Sequence, residues 1–123
     1  MHQGGREAGP KNRAFPAFDA AGLDFALVTH AHLDHSGLLP RLAVLGYRGP
    51  IYATPATIDL LEVLLPDSAH IQEMESARSR GADSRPRAGQ SRERDRERGR
   101  EDPGEQPLYT VADAERSLRL LAP

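Results

Sequence analysis

The chain has 123 residues and a formal net charge of -2, which predicts one small domain and gives no general argument for binding nucleic acid or an anionic membrane. It contains no cysteine, so disulfides and thiolate zinc sites are excluded, and a metal ion would have to be held by histidines and carboxylates. The first ten residues hold no apolar segment typical of a signal peptide, and no apolar run approaches the ~20 residues that a membrane span needs. We therefore expect a soluble, cytoplasmic protein.

The first predicted element is a buried strand over residues 23–29 (LDFALVT), a short apolar run that contains β-formers. Residues 35–46 (HSGLLPRLAVLG) then place leucines at helical spacing and end at Gly46, a residue type that commonly terminates a helix. Pro40 is compatible with this helix only in its first turn. Residues 49–54 (GPIYAT) predict a second short strand.

A second helix is predicted to follow that strand, with Thr54 as its cap and Pro55 at its first position. The helical pattern continues through ATIDLLEVLL. Pro66 is expected to interrupt it, because a proline in a helix interior removes a hydrogen bond and clashes with the preceding turn. A new helical segment is then expected to start, with Asp67 or Ser68 as its cap.

The last predicted element is a helix within residues 108–123. Thr110 and Asp113 have the spacing of a capping box at its start. Apolar residues then recur on one face of it, namely Val111, Ala114, Leu118 and Leu121. The alternation of strands and helices along the chain predicts an α/β layered fold with at least two strands.

A charged segment separates this last helix from the rest. Residues 75–107 contain no Val, Ile, Leu, Met, Phe, Tyr or Trp, and their nine arginines nearly balance eight acidic residues. Such a segment cannot bury enough apolar surface to offset its ordering entropy, so it is expected to be disordered or at most a solvated helix. The alternative is an arm that contacts RNA, against which stand the near-zero net charge and the absence of aromatic residues for base stacking. About 90 residues then remain to form a core, which is close to the lower limit for a domain.

Three of the five histidines fall within six residues, in the stretch THAHLDHSG. In an extended chain residues i and i+2 point to the same side, so His30 and His32 can converge on one cation at the end of the strand. Asp34 and His35 follow the turn into the helix and can face a neighbouring point. Four ligands without sulfur suit Zn²⁺, with Mn²⁺ or Fe²⁺ as further candidates. The pattern is typical of a two-metal hydrolytic site, and the alternative is a loop with ordinary surface histidines.

The stretch LVTHAHLDHSGLLPRL resembles the second motif of the metallo-β-lactamase superfamily. Four flanking segments, QGGREA, NRAFPAFD, GYRGPIYATPAT and LLPDSAHIQE, are similar to bacterial members of its β-CASP branch. That branch contains RNA-processing nucleases related to ribonuclease J and to the eukaryotic pre-mRNA 3′-end endonuclease. The resemblance covers the chain outside the charged segment and resumes weakly at PLYTVADAERSL. It implies a partial metallo-β-lactamase fold, an αββα sandwich without its N-terminal strands and C-terminal half.

At the positions that match the motif, the resemblance implies His30 and His32 as ligands of a first metal ion. It implies Asp34 and His35 as ligands of a second ion and as the catalytic pair. It also divides the chain into a partial metallo-β-lactamase domain (residues 1–74), the charged insertion (residues 75–107) and a helix that returns to the domain (residues 108–123).

The family's remaining ligands, a further motif histidine, a bridging aspartate and a late histidine, cannot be placed in this sequence. His2 and His70 do not lie in the matching contexts, and His70 is expected to be a surface histidine or to support a ligand rather than to bind metal. Thr29 either orients a ligand through its hydroxyl or is a plain strand residue. The sequence is therefore expected to be an internal slice of a longer gene, or a truncated one, and to be inactive as an isolated chain.

The resemblance implies a metal-dependent hydrolase, and within it an RNA phosphodiesterase whose partner is its RNA substrate. Two alternatives stay open. One is another hydrolase of the superfamily, acting on thioesters, lactams or lactones. The other is a non-catalytic metal binder or an unstable translation product. The histidine motif alone does not separate the enzymes, and the flanking segments GPIYATPAT and LLPDSAHIQE favour the nuclease branch.

Overall fold

The computed structural model describes residues 1, 8–83 and 106–123. Its elements in chain order are α1 (Ala8–Ala14), a 3-10 turn (Ala20–Gly22), β1 (Ala26–Leu27), α2 (Leu33–Ser36), α3 (Leu39–Val44), β2 (Ile51–Tyr52), α4 (Pro55–Asp83), α5 (Val111–Leu118) and β3 (Leu121–Ala122). The predicted α/β class is confirmed, with short strands and a larger share of helix. Within these ranges no helix is both long enough and apolar enough to cross a membrane.

The three strands form one parallel sheet in the order β1-β2-β3. Helices connect consecutive strands, as parallel pairing requires. The strand predicted over residues 23–29 is reduced to two residues, but hydrogen bonds extend its pairing on both sides. The Ala26 amide donates to the Pro50 carbonyl at 3.0 Å, and the Val28 amide donates to the Tyr52 carbonyl at 2.9 Å.

The third strand was not predicted. Leu121 was expected on the face of the last helix, but α5 ends at Leu118 and Leu121 pairs with Ile51. The Ile51 amide donates to the Leu120 carbonyl at 2.7 Å, and the Ala53 amide donates to the Ala122 carbonyl at 3.0 Å. The prediction of a helix through this end of the chain is wrong because β2 offers an unpaired edge, and pairing with it satisfies backbone groups on both segments.

The core lies between the sheet and the helices. Its fully buried members include residues of the sheet, of α4 and of α5, namely Ile51, Leu61, Leu65, Ala69 and Ala114. Two buried tyrosines have hydrogen-bonded hydroxyls: Tyr47 donates to the Pro50 carbonyl at 2.5 Å, and the hydroxyls of Tyr109 and Ser68 lie 3.1 Å apart. Burial raises the pKa of both tyrosines, so both hydroxyls keep their protons. The contact of Tyr109 with Ser68 joins two segments that are distant in the sequence.

The helix predicted over residues 35–46 is divided into α2 and α3 by a turn at Gly37 and Leu38. A Cβ atom at Gly37 would lie 2.5 Å from the Leu33 carbonyl oxygen, so the chain leaves α2 by a path that only glycine permits. Pro40 lies in the first turn of α3, as predicted. Gly46 follows α3 with a φ of 97°, the left-handed conformation that glycine adopts without strain.

Pro66 does not end a helix, so the predicted interruption is wrong. α4 is continuous from Pro55 to Asp83 with Pro66 in its interior. Leu61 and Leu65 before the proline and Ala69 after it are all fully buried. Packing both halves of α4 against one core offsets the roughly 3 kcal/mol that an interior proline costs.

At its start, α4 agrees with the prediction, since the Thr57 amide donates to the Thr54 hydroxyl at 3.3 Å. At its other end it continues through residues 75–83, where the charged segment begins. Residues 75–80 are helical and exposed except for the buried Ser76, so this part of the segment takes the second of the two forms expected for it, a solvated helix. Residues 84–105 lie outside the described residues, and so does the prediction of disorder made for them.

Replacing Pro66 by alanine should raise the free energy of unfolding by about 1–3 kcal/mol, because it restores a backbone donor inside a continuous helix. The measurement is urea unfolding followed by circular dichroism. Pro55→Ala is the matched control and should change stability by less than about 0.5 kcal/mol, since a proline at a helix start replaces no intrahelical donor. Equal effects of the two substitutions would contradict the continuous helix.

Candidate metal centre

The histidine run begins at the carboxyl end of β1. Val28 is the last residue whose amide pairs with β2, and the chain then continues in an irregular path through residues 29–32 to α2. Ala31 is 6% exposed and anchors this path to the core, while His30 is half-buried and His32 is exposed. The ring centroids of His30 and His32 lie 4.9 Å apart and meet edge to face. The two side chains are therefore neighbours, as the i, i+2 spacing predicts.

α2 brings the second half of the run back to the first. The ring of His35 lies 4.3 Å from that of His30, centroid to centroid, at an interplanar angle of 49°. The Asp34 Oδ2 atom lies 3.4 Å from His35 Nε2, and both side chains are more than half exposed. Three imidazoles and one carboxylate thus form a single solvent-accessible cluster, which we call the histidine cluster (His30, His32, Asp34 and His35).

Thr29 contacts the cluster through its hydroxyl. Its Oγ1 atom lies 2.9 Å from His30 Nδ1. This contact engages one ring nitrogen and leaves Nε2 of His30 for another partner, which is the arrangement in which a metal-binding histidine is usually oriented. Thr29 lies outside β1, and its contact with His30 is compatible with the role of orienting a ligand, which stays a prediction.

Ser36 was not singled out in the sequence, although the structure gives it a central place in this segment. It is fully buried, and its hydroxyl lies 2.9 Å from the Ala31 carbonyl and 3.0 Å from the His32 carbonyl. The signal available in the sequence was weak: a small hydroxyl residue one turn after His32, in a helix whose first position is Leu33. A serine in a helix usually exposes its hydroxyl or bonds the preceding turn, so its type alone does not indicate a link between two halves of a site.

The donor chemistry of the cluster fits a divalent cation, since imidazole nitrogens and a carboxylate are the ligands that Zn²⁺ accepts when no thiolate is present. Their arrangement is not that of a closed site: in residues 1, 8–83 and 106–123, no three His, Asp or Glu side chains are placed to hold one ion together. His70 is exposed on α4, and His2 lies outside the described residues. The assignment of metal ligands is therefore a proposal.

An apolar groove of about 520 Å³ lies beside the cluster, at the carboxyl ends of the strands. It is lined by Leu27, Val28, Thr29, Tyr52, Ala53, Thr54, Pro55 and Pro123. Open parallel sheets bind ligands at this edge, where the strands end and the loops begin. Thr29 lines the groove and also contacts His30, so a molecule in the groove would lie next to His30.

Relatives of this chain have names that refer to RNA and transcription. It is 49% identical over 73 residues to a ribonuclease of Thermus thermophilus, a match that covers 59% of this chain and 16% of that protein. It is 46% identical over 70 residues to transcription termination factor FttA of Methanocaldococcus jannaschii, covering 53% of this chain and 11% of the relative. The FttA protein of Methanosarcina mazei is 57% identical over 42 residues, 34% of this chain and 7% of the relative.

No protein-family model matches the chain. The chain spans about a sixth of the length of the Thermus ribonuclease and about a tenth of the Methanocaldococcus factor. What these comparisons establish is a strong local similarity, over about half of this chain, to proteins named as a ribonuclease and as transcription termination factors.

Proposed function

We propose that this chain carries the metal-binding segment of a metallo-β-lactamase-fold hydrolase of the β-CASP branch, and that the substrate is an RNA phosphodiester. One observation carries the proposal: the run His30, His32, Asp34, His35 lies at the carboxyl edge of a parallel sheet, in a chain 49% identical over 73 residues to a ribonuclease. The similarity to a termination factor also supports a substrate of RNA. The partial αββα architecture belongs to the same proposal.

The roles proposed for the four residues follow their positions. His30 and His32, at the end of β1, would hold a first cation, and Asp34 and His35, in α2, would hold a second. Zn²⁺ fits this donor set best, with Mn²⁺ and Fe²⁺ as alternatives. When bound, such cations supply positive charge that offsets the negative charge gained by a phosphate under attack.

The chain's own side chains contribute two further features. Asp34 and His35 form an exposed acid–base pair, with 3.4 Å between carboxylate oxygen and ring nitrogen, so they can hold or transfer a proton at the surface that a substrate would reach. The groove of about 520 Å³ beside Thr29 offers apolar surface next to these polar groups. An apolar cleft with a few convergent polar groups is the usual form of a binding site.

Zinc binding is the first test. Calorimetric titration of the 123-residue chain should show zinc binding. The affinity for zinc should fall by about 100-fold or more in the double variant His30→Ala, His32→Ala, because both imidazoles proposed for the first cation are removed. His70→Ala is the matched control, since it removes an exposed histidine outside the cluster. Affinity that is unchanged in the double variant would contradict the ligand assignment.

RNA cleavage is the second test, and it requires a complete enzyme. The 73-residue segment of this chain that is similar to the Thermus ribonuclease can replace its counterpart in that protein, whose remaining sequence would supply the other walls of the site. This chimera should cleave a labelled single-stranded RNA, and Asp34→Asn within the grafted segment should lower the rate by at least about 100-fold, because it removes a charged group proposed to contact a cation.

The same chimera separates the proposal from its alternatives. Hydrolysis of a lactam, lactone or thioester without RNA cleavage would favour another hydrolase of the superfamily. A chimera that binds zinc but cleaves none of these substrates faster than its Asp34→Asn variant would favour a non-catalytic metal binder. Either outcome would contradict the proposed RNA phosphodiesterase.

A further inference from the structure

We propose that Ser36 is the positioning residue of the histidine cluster: its buried hydroxyl joins the segment that carries His30 and His32 to the helix that carries Asp34 and His35. The relevance of this link to metal binding rests on the proposed function. The link itself rests on the contacts of Ser36, and it can be tested separately.

The hydroxyl of Ser36 reaches the two peptide groups that flank His32. Its Oγ atom lies 2.9 Å from the Ala31 carbonyl and 3.0 Å from the His32 carbonyl, so its single proton is shared between two acceptors. Because the peptide groups before and after a residue fix its backbone dihedrals, this contact restricts the direction of the His32 side chain. It also holds Ala31, the residue between the two histidines.

The local helix needs this help. α2 has four residues, and no side chain caps its start at His32. A single turn of helix is marginal by itself, since nucleation fixes several dihedrals for one hydrogen bond. The His32 carbonyl already accepts hydrogen bonds from the amides of His35 and Ser36, each at 2.9 Å. The buried hydroxyl of Ser36 donates a further hydrogen bond to the same carbonyl.

Burial makes the contact rigid. Ser36 is 0% exposed, so water does not compete for its hydroxyl, and the Ala31 carbonyl that it reaches is also buried. The exit from α2 is equally constrained, because a Cβ atom at Gly37 would lie 2.5 Å from the Leu33 carbonyl oxygen. The chain on both sides of the cluster is thus held by contacts that tolerate little displacement.

The chain provides a matched control in Ser117. This serine is 1% exposed, and its hydroxyl donates to the Ala114 carbonyl at 2.8 Å within α5. Ser36→Ala and Ser117→Ala therefore each remove one buried hydroxyl, shared between two backbone carbonyls in the first case and bonded to one in the second. Only Ser36→Ala removes a link within the histidine cluster. Both variants should lose stability, Ser36→Ala by at least as much as Ser117→Ala, whereas changes in the cluster should be confined to Ser36→Ala.

The experiment measures the cluster in two ways. In the metal-free chain, nuclear Overhauser contacts between the imidazole protons of His30 and His35, whose centroids lie 4.3 Å apart, should be lost in Ser36→Ala and kept in Ser117→Ala. In the zinc titration, Ser36→Ala should weaken binding by about 10–100-fold, the usual effect of removing a group that orients a ligand. Ser36→Thr, which keeps the hydroxyl, should retain the ring contacts and most of the affinity.

Three outcomes would overturn the proposal: ring contacts that persist in Ser36→Ala, an equal loss in Ser117→Ala, or a folded Ser36→Thr variant that loses the contacts. The last comparison remains decisive if Ser36→Ala does not fold. If the parent chain fails to bind zinc, the proposed function falls, while the ring contacts still decide the role of Ser36.

Discussion

The hydrogen bond from the Val28 amide to the Tyr52 carbonyl, 2.9 Å long, determines where the strand ends and the site begins. It is the last pairing of β1 with β2, and every residue of the histidine cluster follows it. Because the sheet is parallel, the carboxyl ends of all three strands lie at the same edge. The cluster and the apolar groove beside Thr29 therefore share one side of the molecule, and the proposed chemistry depends on this juxtaposition.

Two-residue strands do not hold such an edge in place by themselves. The helices do so, since α3 and α4 both pack on α5, and α5 leads directly into β3. Arg41 in α3 attaches the N-terminal segment to this assembly by donating to the backbone carbonyls of Arg13 and Phe15 at 2.7 and 3.1 Å. Burial, and then the nearby Arg13, lower the pKa of Arg41. The scaffold of the site is thus a layer of packed helices that supports the small sheet.

The sequence was sufficient where local rules decide the outcome. The Thr54 cap, the Thr110–Asp113 capping box and the turn at Gly46 all occur as predicted, because each depends on a few adjacent residues. The i, i+2 spacing likewise predicted that His30 and His32 are neighbours. Local rules failed where packing between distant segments decides the outcome. α4 remains one helix through Pro66, and Leu121 pairs with β2 instead of continuing the last helix. The role of Ser36 also depends on burial, which its residue type does not reveal.

X-ray absorption spectroscopy of the zinc-loaded chain tests the central claim most directly, because it reports the atoms that surround the ion. The account predicts imidazole nitrogens at about 2.0–2.1 Å, with the imidazole signal reduced when His30 and His32 are replaced by alanine and unchanged when His70 is replaced. A zinc shell of water oxygens alone, or one that keeps its imidazoles in the double variant, would contradict the claim that this cluster is a metal centre.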